Sequence, residues 1–438
     1  MDFVLDRTKR TEWFRNDRFG LFIHWGLYAI PARGEWVRST ERMSREDYQQ
    51  YFHEFRAERY DPKAWAAAAK SAGAKYAVLT AKHHDGFCLF DSALTEYKAT
   101  NTPAGRDLVR EYVEAFRAAG LKVGLYYSLL DWHHPGYPHF GDRHHPMRDN
   151  EAYRGREHDF ASYLEYMHGQ VRELCTNYGQ IDILWFDFSY DQMAGEKWRA
   201  TELLRMVKQL QPQVIVDNRL EASGENAGSM RQRQPNFYAG DFASPEQIVP
   251  PTGIVDHDGN SLPWEACVTM NDNWGYAAAD RNFKSAQLII RKLVECVSKN
   301  GNLILNVGPN AKGEIPSESL ALLREIGAWM RQNGESIYGC GLAEPPKPEW
   351  GYYTQRGRRL FAHVLQGSIG PLGLLGLQQR VRRARLLADG SELRLIRPWN
   401  TLDFPNCLFL NFGRPEHLTH PLPNQIDTVV ELELSDAE

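Results

Sequence analysis

Residues 81–92 read AKHHDGFCLFDS, with His83 and His84 side by side and Asp85 next to them, directly after the apolar, β-branched stretch KYAVLT. A buried strand that stops on Lys82, His83, His84 and Asp85 could end at a metal ion, at a pocket for a hydroxyl-rich ligand, or in packing that merely uses histidine. Other apolar runs stop on similar groups. His24 and Trp25 end one, with Glu35-Trp36 in the loop beyond. Tyr126, Tyr127 and Ser128 end another, as do Trp185, Phe186 and Asp187. Asp217, Asn218 and Arg219 follow, then Asp241 with Glu246 after it, and Asn306. Burying so many donors and acceptors unpartnered is costly. A ligand with many hydroxyls and an apolar patch would supply the partners.

The carboxylate in DILWFDFSYD carries the sharper chemistry. Asp187 follows core residues and is flanked by Trp185 and Phe186, while Asp182 and Asp191 stand at the two ends of the strand for capping. A lone acid does not hydrolyse a glycoside, because a second carboxyl must protonate the leaving oxygen. Glu246, Glu265, Glu35 and Asp241 are the candidates. Glu265 opens its strand and should point to the wrong end of a barrel. Glu246 lies in a loop over the rim and is preferred, with Glu265 as the fallback. The pairs His133-His134 and His144-His145 sit in a Pro-rich loop and read as rim or surface residues that could line a leaving-group site.

The elements that must position these groups form a repeat. Strands are expected at 20–25, 75–80, 122–128, 182–187, 213–217, 237–242, 265–270 and 302–307, all apolar enough for a parallel sheet covered on both faces. Helical patterns fill most gaps, as in DPKAWAAAAKSAG, with Asp61 as N-cap, Pro62 at the first helical position and Gly73 as C-cap. Eightfold strand–helix alternation is the pattern of a (β/α)8 barrel, whose active site lies at the carboxyl ends of its strands. Residues 218–236 and 243–264 show no helical period, so outer helices should be missing there, and long irregular loops are usually functional. After the Pro-rich GLAEPPKPEWG the texture changes to short alternating strands. A catalytic domain over 1–340 followed by an antiparallel β-sandwich over 341–438 is therefore predicted.

Composition narrows the class. The chain has 438 residues, 42% of them hydrophobic, and a formal net charge of −5, with no basic run that would serve nucleic acid. No apolar run reaches membrane-spanning length, so no membrane partner is expected. The first residues lack the basic start and apolar segment of a secretory leader, and the six cysteines are scattered without CxxC spacing. Free thiols in a reducing compartment follow, hence a cytoplasmic location; a secreted chain whose leader has been trimmed would read the same.

FGLFIHWGLYAIPARGEW, AKYAVLTAKHHDGFCLFDS, GLYYSLLDWHHP, ILWFDFS, WEACVTMNDNWGY and GNLILNVGPNAKGEIP, in that order, resemble the α-L-fucosidases of glycoside hydrolase family 29. The resemblance implies a retaining exo-α-L-fucosidase with a (β/α)8-like barrel and a C-terminal β-sandwich, acting on fucosylated oligosaccharides or glycoconjugates, without cofactor, with oligomers possible. It places the nucleophile on Asp187 and the fucose contacts on His24, Glu35, Trp36, His83, His84, Tyr127, Trp185 and Arg219. It places the acid/base on Glu246, again with Glu265 as fallback. In that setting the adjacent histidines contact neighbouring hydroxyls of one sugar, donating and accepting at their two nitrogens. No metal is expected, because adjacent histidines seldom reach one ion and His24 would need a carboxylate at ~2.0–2.2 Å from the same ion. A metal-dependent barrel hydrolase and a catalytically silent fucose-binding protein are the competing readings.

Overall fold

In a computed structural model, which describes residues 3–224, 226–414 and 421–435, seven parallel strands form one curved sheet. They are β1 (Phe19–Ile23), β2 (Tyr76–Lys82), β3 (Lys122–Ser128), β4 (Ile183–Asp187), β5 (Ile215–Val216), β6 (Glu265–Thr269) and β7 (Asn302–Val307), in the order β5-β4-β3-β2-β1-β7-β6. The gap between β5 and β6 is spanned by residues 241–247. This segment bridges β5 through Asp217 and Phe242 and reaches β6 through the pairs Ala243–Trp264 and Glu246–Cys267. The sheet therefore closes into a barrel whose eighth stave is joined by single bridges instead of a ladder.

The sixth expected strand is shifted accordingly. Residues 237–240 form a turn, and the stave begins at Asp241, whose N–H donates to Val216 O at 2.6 Å. Helices Pro62–Ala72, Leu108–Ala118, Phe160–Asn177, Ala200–Leu210, Ala286–Ser298 and Ser317–Asn333 follow the expected segments. Four of them start on a carboxylate or hydroxyl N-cap, from Asp61, Asp107, Asp159 or Ser285. Among the described residues no α-helix lies between β5 and β6, only a short 3-10 turn at Gly228–Arg231, so the outer helices are missing where the period is missing.

Alternation along each strand divides the core. Phe22, Tyr76, Val78, Tyr126, Ile183, Trp185, Phe242 and Ile304 fill the barrel interior. Leu21, Leu79, Leu125, Tyr127 and Leu184 face outward against the helices. This is the reason Tyr127 leaves the predicted set. Its hydroxyl donates to Gln170 Oε1 in helix Phe160–Asn177 at 2.8 Å, while Tyr126 takes the inward position.

From Gly341 the chain builds antiparallel sheets. β8 (Gly341–Leu342), β9 (Gly351–Arg356), β10 (Arg359–Val364), β12 (Val381–Leu386) and β15 (Thr428–Leu434) form the larger sheet, ordered β12-β15-β10-β9-β8. β11 (Leu372–Leu375), β13 (Arg394–Ile396) and β14 (Cys407–Asn411) form the smaller. The two enclose a core of their own around Leu360, Leu374, Leu410, Val430 and Leu432.

Candidate active site

Nine predicted side chains meet in one pocket at the carboxyl ends of the strands: His24, Glu35, Trp36, His83, His84, Trp185, Asp187, Arg219 and Glu246. Phe22, Tyr126, Phe188, Cys267 and Trp274 complete its wall.

Arg219 organises it. Its Nη1 lies 2.8 Å from Asp187 Oδ1 and 2.8 Å from Glu246 Oε2. The remaining guanidinium groups donate to Ser244, Nε to Oγ at 3.0 Å and Nη2 to the carbonyl at 3.1 Å. The guanidinium also lies 4.5 Å over the Trp185 ring. Three hydrogen bonds, to Asp187 and to the Ser244 hydroxyl and carbonyl, thus fix the orientation of this buried cation towards the two carboxylates. Two oxygens held 2.8 Å from one nitrogen are at most about 5.6 Å apart, so both carboxylates face the same small volume at the pocket mouth.

The two carboxylates differ in environment. Asp187 is 8% exposed and accepts from Tyr126 Oη at 2.7 Å. Burial raises its pKa, Arg219 works against that rise, and the nearby Glu246 adds to it. The Glu246 side chain is 36% exposed and faces the pocket mouth. Each is followed by a non-glycine residue in the left-handed region, Phe188 at φ 85° and Gln247 at φ 55°. Such a conformation costs ~1–3 kcal/mol per residue and persists where the surroundings enforce it. Gln247 is held by its side-chain amide on Thr269 Oγ1 at 3.0 Å. Gly224 lets the helix-free loop close over this corner, since a Cβ there would lie 2.6 Å from Arg219 Nη2 and 2.8 Å from Glu246 Cβ.

The histidines are set by their outer partners. His24 Nδ1 faces Asn306 Oδ1 at 2.6 Å, and the Asn306 amide nitrogen is committed to Trp274 O at 2.7 Å. His24 therefore carries its proton on Nδ1 and leaves Nε2 as an acceptor. His84 follows the same logic. Its Nδ1 faces Ser128 Oγ at 2.6 Å, and that hydroxyl's own proton goes to Leu130 O at 3.0 Å, so His84 donates from Nδ1. Its Nε2 lies 4.0 Å from Asp187 Oδ2. His83 is stacked beside Tyr126 at 5.5 Å, and its Nδ1 is buried without a hydrogen-bond partner. Burial drives all three imidazoles towards the neutral form, His24 to about 3 and the other two well below the ordinary value. Glu35 accepts from Gly275 N at 2.8 Å, and burial raises its pKa against that bond. The arrangement offers neutral acceptors to sugar hydroxyls, beside an arginine that spans two acids. Among the described residues no group of three or more His, Cys, Asp or Glu is placed to hold a metal ion.

Glu265 lies elsewhere. It opens β6 at the floor of the barrel, wholly buried, accepting from the Tyr76 hydroxyl. Burial raises its pKa to about 8, only partly offset by Tyr76 and Trp185. It does not reach the pocket that holds Asp187, because the Trp185 ring and the strand's length separate them. Asp241 is also at the far end, bonded to Arg10 and Lys208.

A family model described as Alpha-L-fucosidase matches residues 4–335. This chain belongs to the α-L-fucosidase family. It resembles human tissue α-L-fucosidase, 30% identical over 82% of this chain and 77% of that one. Its structure resembles that of α-L-fucosidase isoenzyme 1 from Paenibacillus thiaminolyticus, with 63% identity, a TM-score of 0.95, and 98% and 100% of the two chains covered. It also resembles a family 29 α-L-fucosidase from Bacteroides thetaiotaomicron, 29% identical with a TM-score of 0.83 over 98% and 96% of the chains. That enzyme was trapped as a covalent intermediate with 2-fluoro-fucosyl fluoride in a Glu-to-Gln variant. The present chain is accordingly a retaining α-L-fucosidase, a glycoside hydrolase acting on fucosylated substrates.

Sequence reasoning missed several wall residues of this fucosidase. Tyr126 and Tyr127 are equally apolar neighbours, and only the pairing of Tyr126 with Trp185 and of Ser128 with Asp187 fixes which tyrosine faces inward. Trp274 stands inside the motif WEACVTMNDNWGY, 28 residues beyond Glu246, and nothing local says that it returns to the pocket. Ser244, which holds two edges of Arg219, carries no sequence signal at all.

Proposed function

We propose that Asp187 is the nucleophile and Glu246 the acid/base of this fucosidase. The observation that carries the assignment is the single Arg219 nitrogen 2.8 Å from both carboxylates. Asp187 attacks the anomeric carbon while Glu246 protonates the departing oxygen, and a fucosyl-Asp187 ester forms. Glu246 then takes a proton from water, which opens the ester with retention. A protonated Glu246 releases the guanidinium to Asp187, so charging the donor and holding the nucleophile ionised are one event. Nε2 of His24 and of His84 accept from sugar hydroxyls. Trp36, His83, Glu35 and Trp185 bound the ring, and Tyr126 takes the role first given to Tyr127. The substrates are terminal α-L-fucosides of oligosaccharides or glycoconjugates. The six unpaired thiols favour a reducing compartment, the cytoplasm.

Reaction with 2-fluoro-fucosyl fluoride, digestion and mass spectrometry should find the label on Asp187. A label on another side chain sinks the assignment. Asp187→Ala should remove turnover while the protein still folds, read by circular dichroism. Glu246→Gln should slow a disaccharide more than a nitrophenyl fucoside, and azide should rescue Glu246→Ala but not Glu265→Ala; the reverse pattern would move the acid to Glu265.

A further inference from the structure

The two histidine pairs of the Pro-rich loop, His133-His134 and His144-His145, have separate fates. His133 is stacked on Tyr97 at 3.7 Å, away from the pocket, and His134 packs against Tyr163 and Tyr166. His145 is buried, its Nδ1 accepting from Met147 N at 3.0 Å. His144 alone reaches the mouth of the active site. Its ring lies 5.6 Å from Trp36, 4.8 Å from Phe188 and 4.8 Å from Tyr190. Trp36 and Phe188 already line the sugar pocket, and all four rings are half-buried, so they make a continuous aromatic shelf from the pocket wall outward.

The shelf is built. Asp142 Oδ1 accepts from the backbone N–H of His144 at 2.9 Å and of His145 at 2.8 Å, and its other oxygen accepts from the Tyr190 hydroxyl. With that proton spent, the Tyr137 hydroxyl donates to Tyr190 Oη at 2.8 Å. His144 O receives Ser39 Oγ at 2.7 Å. Phe188 follows Asp187 directly, and its left-handed backbone turns its ring out of the strand's alternation towards His144. Burial also disfavours a charge on His144, which leaves a neutral ring for stacking.

We propose that Phe188, His144 and Tyr190 form the subsite for the leaving group, and that this group is a pyranose presenting an apolar C–H face. This rests on the reading of Asp187 as nucleophile, because only then does the shelf begin beside the bond that breaks. A face of half-buried aromatic rings, pre-set by hydrogen bonds behind it, stacks a sugar ring at low ordering cost.

The test compares two substrates in one enzyme: the fucosyl-hexopyranose disaccharide that the wild type cleaves best, and α-L-fucosyl fluoride, whose leaving group cannot stack. The ratio of their kcat/KM values should fall about 3- to 10-fold in His144→Ala and in Tyr190→Phe/His144→Ala together, carried by KM. His144→Phe should restore it. An unchanged ratio, or equal losses on both substrates, overturns the proposal, the second by showing that His144 only shapes the fucose pocket. A covalent label away from Asp187 would instead defeat the reading of the nucleophile, which the ratio does not report.

Discussion

Arg219 sits between two acids and against an indole, and its removal is felt first by the acid that is buried. Burial alone would keep Asp187 protonated further into the working pH range; the guanidinium opposes this. In Arg219→Gln the folded-state pKa of Asp187 should therefore rise. The proposed nucleophile works as the anion, so the acidic limb of kcat/KM should move upward by about 1–3 pH units. An acidic limb that stays in place, measured on fucosyl fluoride, would show that Arg219 does not tune this carboxylate. The three neutral histidines make the opposite choice. Held below their ordinary pKa by burial, they contribute no limb near neutrality.

At the scale of elements, the weak stave 241–247 depends on one side chain. Asp241 receives Val216 N at 2.9 Å, Arg10 at 2.6 Å and Lys208 at 2.8 Å, tying helix Phe3–Arg10, helix Ala200–Leu210 and β5 to the start of the segment that delivers Glu246. Burial pushes its pKa up, but Lys208 and Arg10 win and the net shift is downward. A depressed carboxylate stabilises the fold fully above the unfolded value and progressively less as pH falls through the folded one. That contribution should be present above about pH 4 and fade below it. Asp241→Ala should cost about 3 kcal/mol of unfolding free energy at pH 7, read by urea titration. The penalty should shrink towards pH 3; a pH-independent difference would contradict the linkage.

Over the whole molecule, barrel and sandwich share a seam. Phe361 and Val429 of the larger antiparallel sheet belong to the barrel-side core, and Arg291 Nε donates to Ile426 O at 2.9 Å. At the seam His363 is fully buried between Asp427 Oδ2, 2.7 Å from Nδ1, and Thr354 Oγ1, 3.0 Å from Nε2. The Thr354 hydroxyl proton is given to Ser336 O at 2.7 Å. The chain of contacts resembles a hydrolytic triad in outline, yet its hydroxyl is fully buried and committed to a backbone carbonyl, which makes it a clasp. Urea should therefore abolish fucosidase activity and far-ultraviolet circular dichroism in one coincident transition. Two separated transitions would show that the halves unfold independently.

The residue types, the order of the motifs and the period of the helices determined the barrel and the sandwich, and named nine of the side chains that line the pocket. Apolar runs and caps are local signals, and a polar group at the end of a core strand is legible one strand at a time. Two decisions were left to the tertiary structure. Which of Tyr126 and Tyr127 faces inward depends on register against β4, because both residues are equally compatible with an apolar strand. The sixth stave starts at Asp241 instead of 237 because its pairing comes from β5, β6 and two cations, none of them sequence neighbours. The rim loop and the strand start already separate Glu246 from Glu265 in the sequence; closure of the sheet adds Arg219 beside the first at the mouth and Tyr76 beside the second at the floor.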